Sequence, residues 1–287
     1  MRFPFKIFLL AYISLGISAA GFDGEGHRLT TDGHLKRDPI FVNEGEEIIY
    51  SVEHTAPRLI LNRLRLADGL VTRLHPEASL PELKPSFSRD EKIYTFLAMT
   101  GNDNLTLRVR DVPSRQVRIL KSSATVLWNA AITPDGKQVV YNISGQLILR
   151  SLSDDQETSL TKSAGRNDWP NISADGKRIV FSSSRNGDFD LYVMKLDGSE
   201  VRRLTESPGL DMRPVWSPDG KQIAFTSNRD GNYEIYAMHA DGSNVRQITH
   251  HDERDDYPAW HPDGKKIVYV SERDGNYDLY LAEIPEN

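Results

Sequence analysis

His250 and His251, followed by Asp252, Glu253, Asp255 and Asp256, form a dense run of candidate metal ligands and acid–base groups. Imidazole nitrogens and carboxylate oxygens at such spacing can hold a divalent ion. Adjacent histidines on an extended backbone point to opposite faces, so both cannot easily serve one ion. The run therefore reads first as a solvated acidic connection. No cofactor is expected, with calcium on such loops as the minor alternative. Asp175, Asp219 and Asp263 each open an Asp-Gly turn, where a short acid caps its own backbone. The chain has no GxSxG elbow, no HExxH pair and no glycine-rich phosphate loop after a strand. Scattered carboxylates of the glycosidase kind leave no local signature, and the expectation is a protein that is not an enzyme.

The elements that would position these residues repeat. Pro170, Pro214 and Pro258 fall 44 residues apart, as do Asp175, Asp219 and Asp263, and Tyr192, Tyr236 and Tyr280. Fainter copies carry the anchor back through Asp135, Asp90 and Glu44, six units in all. A period in this range marks a repeat architecture. Within a unit, KQIAFTS at Lys221 and EIYAMHA at Glu234 are short β-branched and aromatic runs bounded by turns. Asp230-Gly231 suits a type I′ hairpin, with positive φ at both central residues. Four antiparallel strands in about 44 residues make one propeller blade. The predicted fold is all-β, a six-bladed β-propeller of four-stranded antiparallel blades starting near residues 39, 85, 130, 170, 214 and 258.

The sixth unit runs to Asn287 without a fourth strand, while Thr30 precedes Pro39 by the nine residues that separate Thr161, Thr205 and Thr249 from their prolines. A clasp strand at about residues 27–31 is thus expected to complete the last blade and cover its edge. Arg185, Arg229 and Arg273 recur five residues before Asp190, Glu234 and Asp278, a spacing that suggests an Arg–carboxylate pair across each hairpin.

Residues 1–20 stand outside the repeat: Arg2 and Lys6, an apolar run from Ile7 to Ile17, then Ser18-Ala19-Ala20. This is the pattern of a secretory signal peptide, leaving a single propeller domain over 21–287 and no membrane span after cleavage. The absence of cysteine rules out disulfides and a lipid-modified N-terminus of the lipoprotein kind. Thirty-five Lys and Arg against 41 Asp and Glu, a net charge of −6, argue against nucleic acid as a partner.

SPDGKQIAFTSNRDGNYEIY at Ser217 and HPDGKKIVYVSERDGNYDLY at His261 closely resemble the WD-like repeat of TolB-type propellers. The resemblance is strong over units four to six, fair at Pro134 and weak over residues 39–110. It implies a periplasmic or secreted protein of the Tol–Pal envelope system, whose propeller binds the peptidoglycan-associated lipoprotein. TolB also carries an N-terminal α/β domain, for which about 18 residues between Ala20 and the first blade leave no room.

Where the copies differ is where a specific site belongs. Just before each innermost strand stand Arg37 and Asp38, Lys84, Trp128 and Asn129, Asp168 and Trp169, Met212 and Arg213, and Asp256 and Tyr257. Arg37, Lys84, Trp128, Trp169, Arg213 and Tyr257 are of types suited to a partner contact at the mouth of the central channel. The competing reading is that Trp169 and Tyr257 cover the core between blades. A monomer is expected, binding a protein or peptide, an envelope lipoprotein if the resemblance extends to the partner. A small-molecule or glycan binder, or a hydrolase or lyase working in the same funnel, is the alternative.

Overall fold

IVF at Ile179, IAF at Ile223 and IVY at Ile267 are buried on consecutive residues, because neighbouring sheets cover both faces of the strand that carries them. The computed structural model describes residues 26–284 apart from 56–57, 101–103, 121–126 and 163; the expected signal peptide lies outside the described residues. Among them, six four-stranded antiparallel sheets form the ring, five running from the innermost strand outward in chain order and the sixth completed by the N-terminal strand. Blade five shows the pattern: Asp211–Trp216 innermost, then Gln222–Ser227, Glu234–His239 and the short outer Arg246–Gln247. The other innermost strands are Lys36–Val42, Glu82–Phe87, Leu127–Ile132, Asn167–Ile172 and Asp255–Trp260. They begin about three residues ahead of the prolines that mark the repeat.

The clasp pairs as its spacing requires. His27–Arg28 runs antiparallel to the last strand, His27 opposite Leu281 and Arg28 opposite Tyr280. Its register is set by a threonine used in other blades as well. Thr161, Thr205 and Thr249 accept the amides of Leu147, Leu191 and Ile235, each at 2.9 Å. Thr30 accepts that of Leu279 at 3.0 Å and donates to Asp278 at 2.7 Å. Asp278 also takes Arg28 at 2.5 Å and the fully buried Lys36 at 3.0 Å. Burial opposes ionisation of Asp278, yet Thr30, Arg28 and Lys36 hold its carboxyl below the usual range.

The turn acids have the structural duty that the repeat suggests. Asp90, Asp135, Asp175, Asp219 and Asp263 accept the amide two residues on at 2.7–3.1 Å. The expected hairpin charge pairs do not form at Arg185 and Arg229. Arg229 turns inward to Asp211 of the innermost strand at 2.9 Å and stacks over Tyr236 at 4.9 Å, while Arg185 reaches Asn167 at 2.8 Å. Asp190 instead takes Arg203 at 2.7 Å, and Glu234 takes Thr249 and the His251 amide. The type I′ hairpin also belongs to a different blade. In blade six Asp274 and Gly275 have φ of +52° and +74° in a two-residue loop, whereas in blade five only Gly231 is positive. There the ladder closes at Ser227 and Glu234, and Asn232 holds the wider loop by donating to the carbonyls of His251 and Glu253.

Candidate binding site at the channel mouth

Each innermost strand slips register as it reaches the channel: pairing resumes late at Asp38-Pro39, Lys84-Pro85, Leu127-to-Ala130, Asp168-to-Asn171, Met212-to-Val215 and Asp256-to-Ala259. Proline has no amide to lose from the ladder, which makes it the natural residue for such a bulge. The residue before it is thrown into the left-handed region: φ is +51° at Asp38, +55° at Lys84, +48° at Trp169, +52° at Arg213 and +57° at Tyr257. For side chains of this bulk the conformation costs about 1–3 kcal/mol each. Its effect is to lift the side chain out of the strand's alternation and aim it at the axis.

These residues line one cavity of about 320 Å³ together with Asn129 and the apolar ring Pro39, Pro85, Ala130, Pro170, Pro214 and Pro258. The site is therefore an apolar shaft with a polar, aromatic rim. Arg213 sits between two rings, its guanidinium 4.9 Å from Trp169 and 4.3 Å from Tyr257. Asp256 neutralises it at 3.1 Å. That contact is an ion pair rather than a well-aligned hydrogen bond, and the Nε and Nη1 groups of Arg213 have no acceptor. Across the rim Lys84 donates to Asp38 at 3.0 Å, and the second Asp38 oxygen is buried without a donor. The rim thus holds buried polar groups whose hydrogen-bonding capacity is unmet among the described residues.

Charges behind the rim are held firmly. Burial opposes ionisation of Asp256, but Arg213 and Arg254 keep it below the ordinary carboxylate range, with Thr226 donating at 2.8 Å. Asp168, fully buried and held by Arg166 at 2.6 Å and Asn129 at 3.2 Å, is nonetheless pushed up by burial.

Lys84, Trp169, Arg213 and Tyr257, which the sequence singles out, come together in this cavity. Trp169 and Tyr257 flank Arg213, and Tyr257 also packs against the core between blades six and one, so there both readings hold. Arg37 does not line the shaft: it precedes the bulge by one residue and faces a second cleft between blades six and one. The side chain of Trp128 lies outside the described residues. Asp38 and Asn129 take the rim positions in those two blades, and the signal that finds them is the place immediately before Pro39 and Ala130. Among the described residues no three His, Cys, Asp or Glu side chains converge as metal ligands. His251 accepts the Glu253 amide at 3.1 Å.

The profile of the TolB beta propeller domain matches residues 98–286. The Tol-Pal system protein TolB of Anaeromyxobacter dehalogenans is 33% identical over 165 residues, 55% of this chain and 38% of that protein. An uncharacterised protein of Agrobacterium fabrum is 38% identical over 88 residues, 29% of this chain and 30% of its own. The chain thus spans about a third of the length of the curated relatives it matches. Among solved structures, TolB from Acinetobacter baumannii superposes with a TM-score of 0.67 at 20% identity, over 84% of this chain and 65% of that one. An oligogalacturonate lyase from Vibrio parahaemolyticus superposes at 0.60 with 12% identity, over 90% of this chain and 93% of the lyase. At these identities the two structures show the fold alone.

Proposed function

The chain belongs to the TolB beta propeller domain family, and from that membership we propose that it is a non-catalytic periplasmic or secreted propeller binding a protein segment at its channel mouth. The observation that carries the reading is the rim itself. Five strained residues at the bulge converge on one apolar shaft, beside Arg213 and Asp38, whose buried polar groups are incompletely hydrogen-bonded among the described residues. Backbone strain repeated at one place is what a binding site can store. An extended segment would drop an apolar side chain into the proline ring and lay its polar groups along the Lys84, Asn129 and Arg213 side of the rim.

A glycan reading needs aromatic faces open to a sugar ring, and Arg213 already covers one face each of Trp169 and Tyr257. The Tol–Pal resemblance supports an envelope lipoprotein as the partner. Among the described residues no helix is long and apolar enough to cross a membrane.

Selection of linear peptides from a displayed library, followed by titration of the enriched peptides, tests the proposal. Ala131 lines the shaft and is 5% exposed, so Ala131→Trp should fill it and weaken binding at least tenfold, and Trp169→Ala should do so by removing one side of the rim. Peptides that bind both variants as they bind wild type would overturn the mouth as the site.

A further inference from the structure

Beside the channel mouth, between blades six and one, lies a cleft of about 380 Å³ that shares Arg213 and Tyr257 with the rim and is otherwise lined by Arg37, Arg254, Asp256 and Glu272 among others. Its charges do not balance. Arg254 makes two contacts to one oxygen of Asp256, through Nε at 3.1 Å and through Nη2. The other oxygen accepts Thr226 and the Tyr257 amide, each at 2.8 Å, and faces Arg213 at 3.1 Å. One carboxylate thus serves two guanidinium groups and has no capacity left. Glu272 is engaged by the hydroxyl of Tyr277 on the adjacent strand. Lys36, also on the cleft wall, is neutralised by Asp278 and Asp32.

Arg37 remains. It is half-buried and makes no side-chain hydrogen bond or ion pair among the described residues. Three guanidinium groups therefore meet two carboxylates in a recess of a chain whose net charge is −6, so local placement and not bulk composition makes the cleft cationic. A partly desolvated guanidinium without an anion is an incomplete pair, and its planar fork matches a carboxylate in two parallel hydrogen bonds.

We infer that this cleft is a carboxylate subsite, filled by an Asp or Glu side chain of the segment bound at the mouth. The assignment to an acidic peptide side chain rests on the proposed function. It follows from the shared wall: Arg213 and Tyr257 border both cavities, so a segment anchored in the shaft carries a neighbouring side chain over Arg37. The subsite makes Arg37 a specificity residue and not a shaft-lining one.

Titration with capped single residues tests the cleft independently of the shaft. Acetyl-Glu-amide should bind wild type saturably, at least tenfold more weakly to Arg37→Gln, and more weakly as salt rises; acetyl-Gln-amide should not bind. Ala131→Trp, which fills only the shaft, should bind acetyl-Glu-amide as wild type does, so failure of one site is distinguishable from failure of the other. Peptides selected against wild type should carry Asp or Glu at a fixed offset from their apolar anchor, a preference lost against Arg37→Gln. Absence of saturable acetyl-Glu-amide binding, or equal binding by Arg37→Gln, would overturn the subsite. Tighter binding of digalacturonate than of acetyl-Glu-amide would overturn the peptide assignment in favour of a uronate.

Discussion

The same substitution is expected to act with opposite sign in two successive blades. Asp211 and Asp255 each stand three residues before the proline of an innermost strand, and both are fully buried. Asp211 accepts Arg229 at 2.9 Å and Ser207 at 2.9 Å. Among the described residues neither oxygen of Asp255 has a hydrogen bond of good geometry; Ser271 and Thr249 lie beside it and offset its burial only in part, the Thr249 hydroxyl being donated to Glu234. Burial, reinforced by the charge of Glu234, pushes Asp255 up to about 7 from 3.8. The folded chain therefore keeps a proton that the unfolded chain releases. Its stability contribution is fully present below about pH 4, is lost as pH rises to about 7, and is level above that. A rise of that size is equivalent to about 4 kcal/mol. Asp255→Asn has nearly the shape of the protonated acid and cannot ionise. It should match wild type near pH 4 and exceed it by up to about 4 kcal/mol at pH 8. Asp211→Asn strands the partly buried Arg229 and should cost about 3 kcal/mol at pH 8. Urea unfolding of the three proteins at acid, neutral and alkaline pH reads both effects from midpoint and slope. A loss at pH 8 in Asp255→Asn, or a gain of the same size at all pH values, would refute the reasoning.

Two further outcomes bear on closure of the ring. Thr30→Val removes the hydroxyl that joins Leu279 and Asp278 and should cost about 1–3 kcal/mol, with amide exchange accelerated at Leu279 ahead of the other blades. Lys36→Met removes a fully buried partner of Asp278 and should cost about 3 kcal/mol near neutral pH. Because the Asp278 carboxyl is depressed when folded, its contribution is present above about pH 4 and disappears as pH falls through the folded value. The acid-unfolding midpoint of Lys36→Met should therefore move upward, and a midpoint equal to that of wild type would count against the latch.

The blade count, the order of strands and the closing strand were all legible in the chain, since each depends on spacing repeated along it. Pro170, Pro214 and Pro258 mark the bulges, and Thr30 matches Thr161, Thr205 and Thr249 at nine residues from a proline. The partners of Arg185 and Arg229 were not legible, because proximity along a hairpin suggests Asp190 and Glu234, whereas the guanidinium finds Asn167 and Asp211 on the innermost strand. Asp230-Gly231 reads like Asp274-Gly275, yet Asn232 is drawn to the carbonyls of His251 and Glu253 and the loop stays wide.

The channel site divides the same way. That a residue beside each proline would face the axis follows from the sequence, through the period and the missing proline amide. Which of two neighbours does so depends on the register slip: Asp38 takes the shaft and Arg37 the cleft beside it. Sequence alone determined the scaffold, because backbone pairing in a repeat is local and periodic. Only the tertiary structure decided that Arg213 lies between Trp169 and Tyr257, that Asp256 is shared by two arginines and that Arg37 has no anion among the described residues. Those facts join different blades, and such contacts are set by how the closed ring brings their innermost strands together, a distance that no spacing along the chain records.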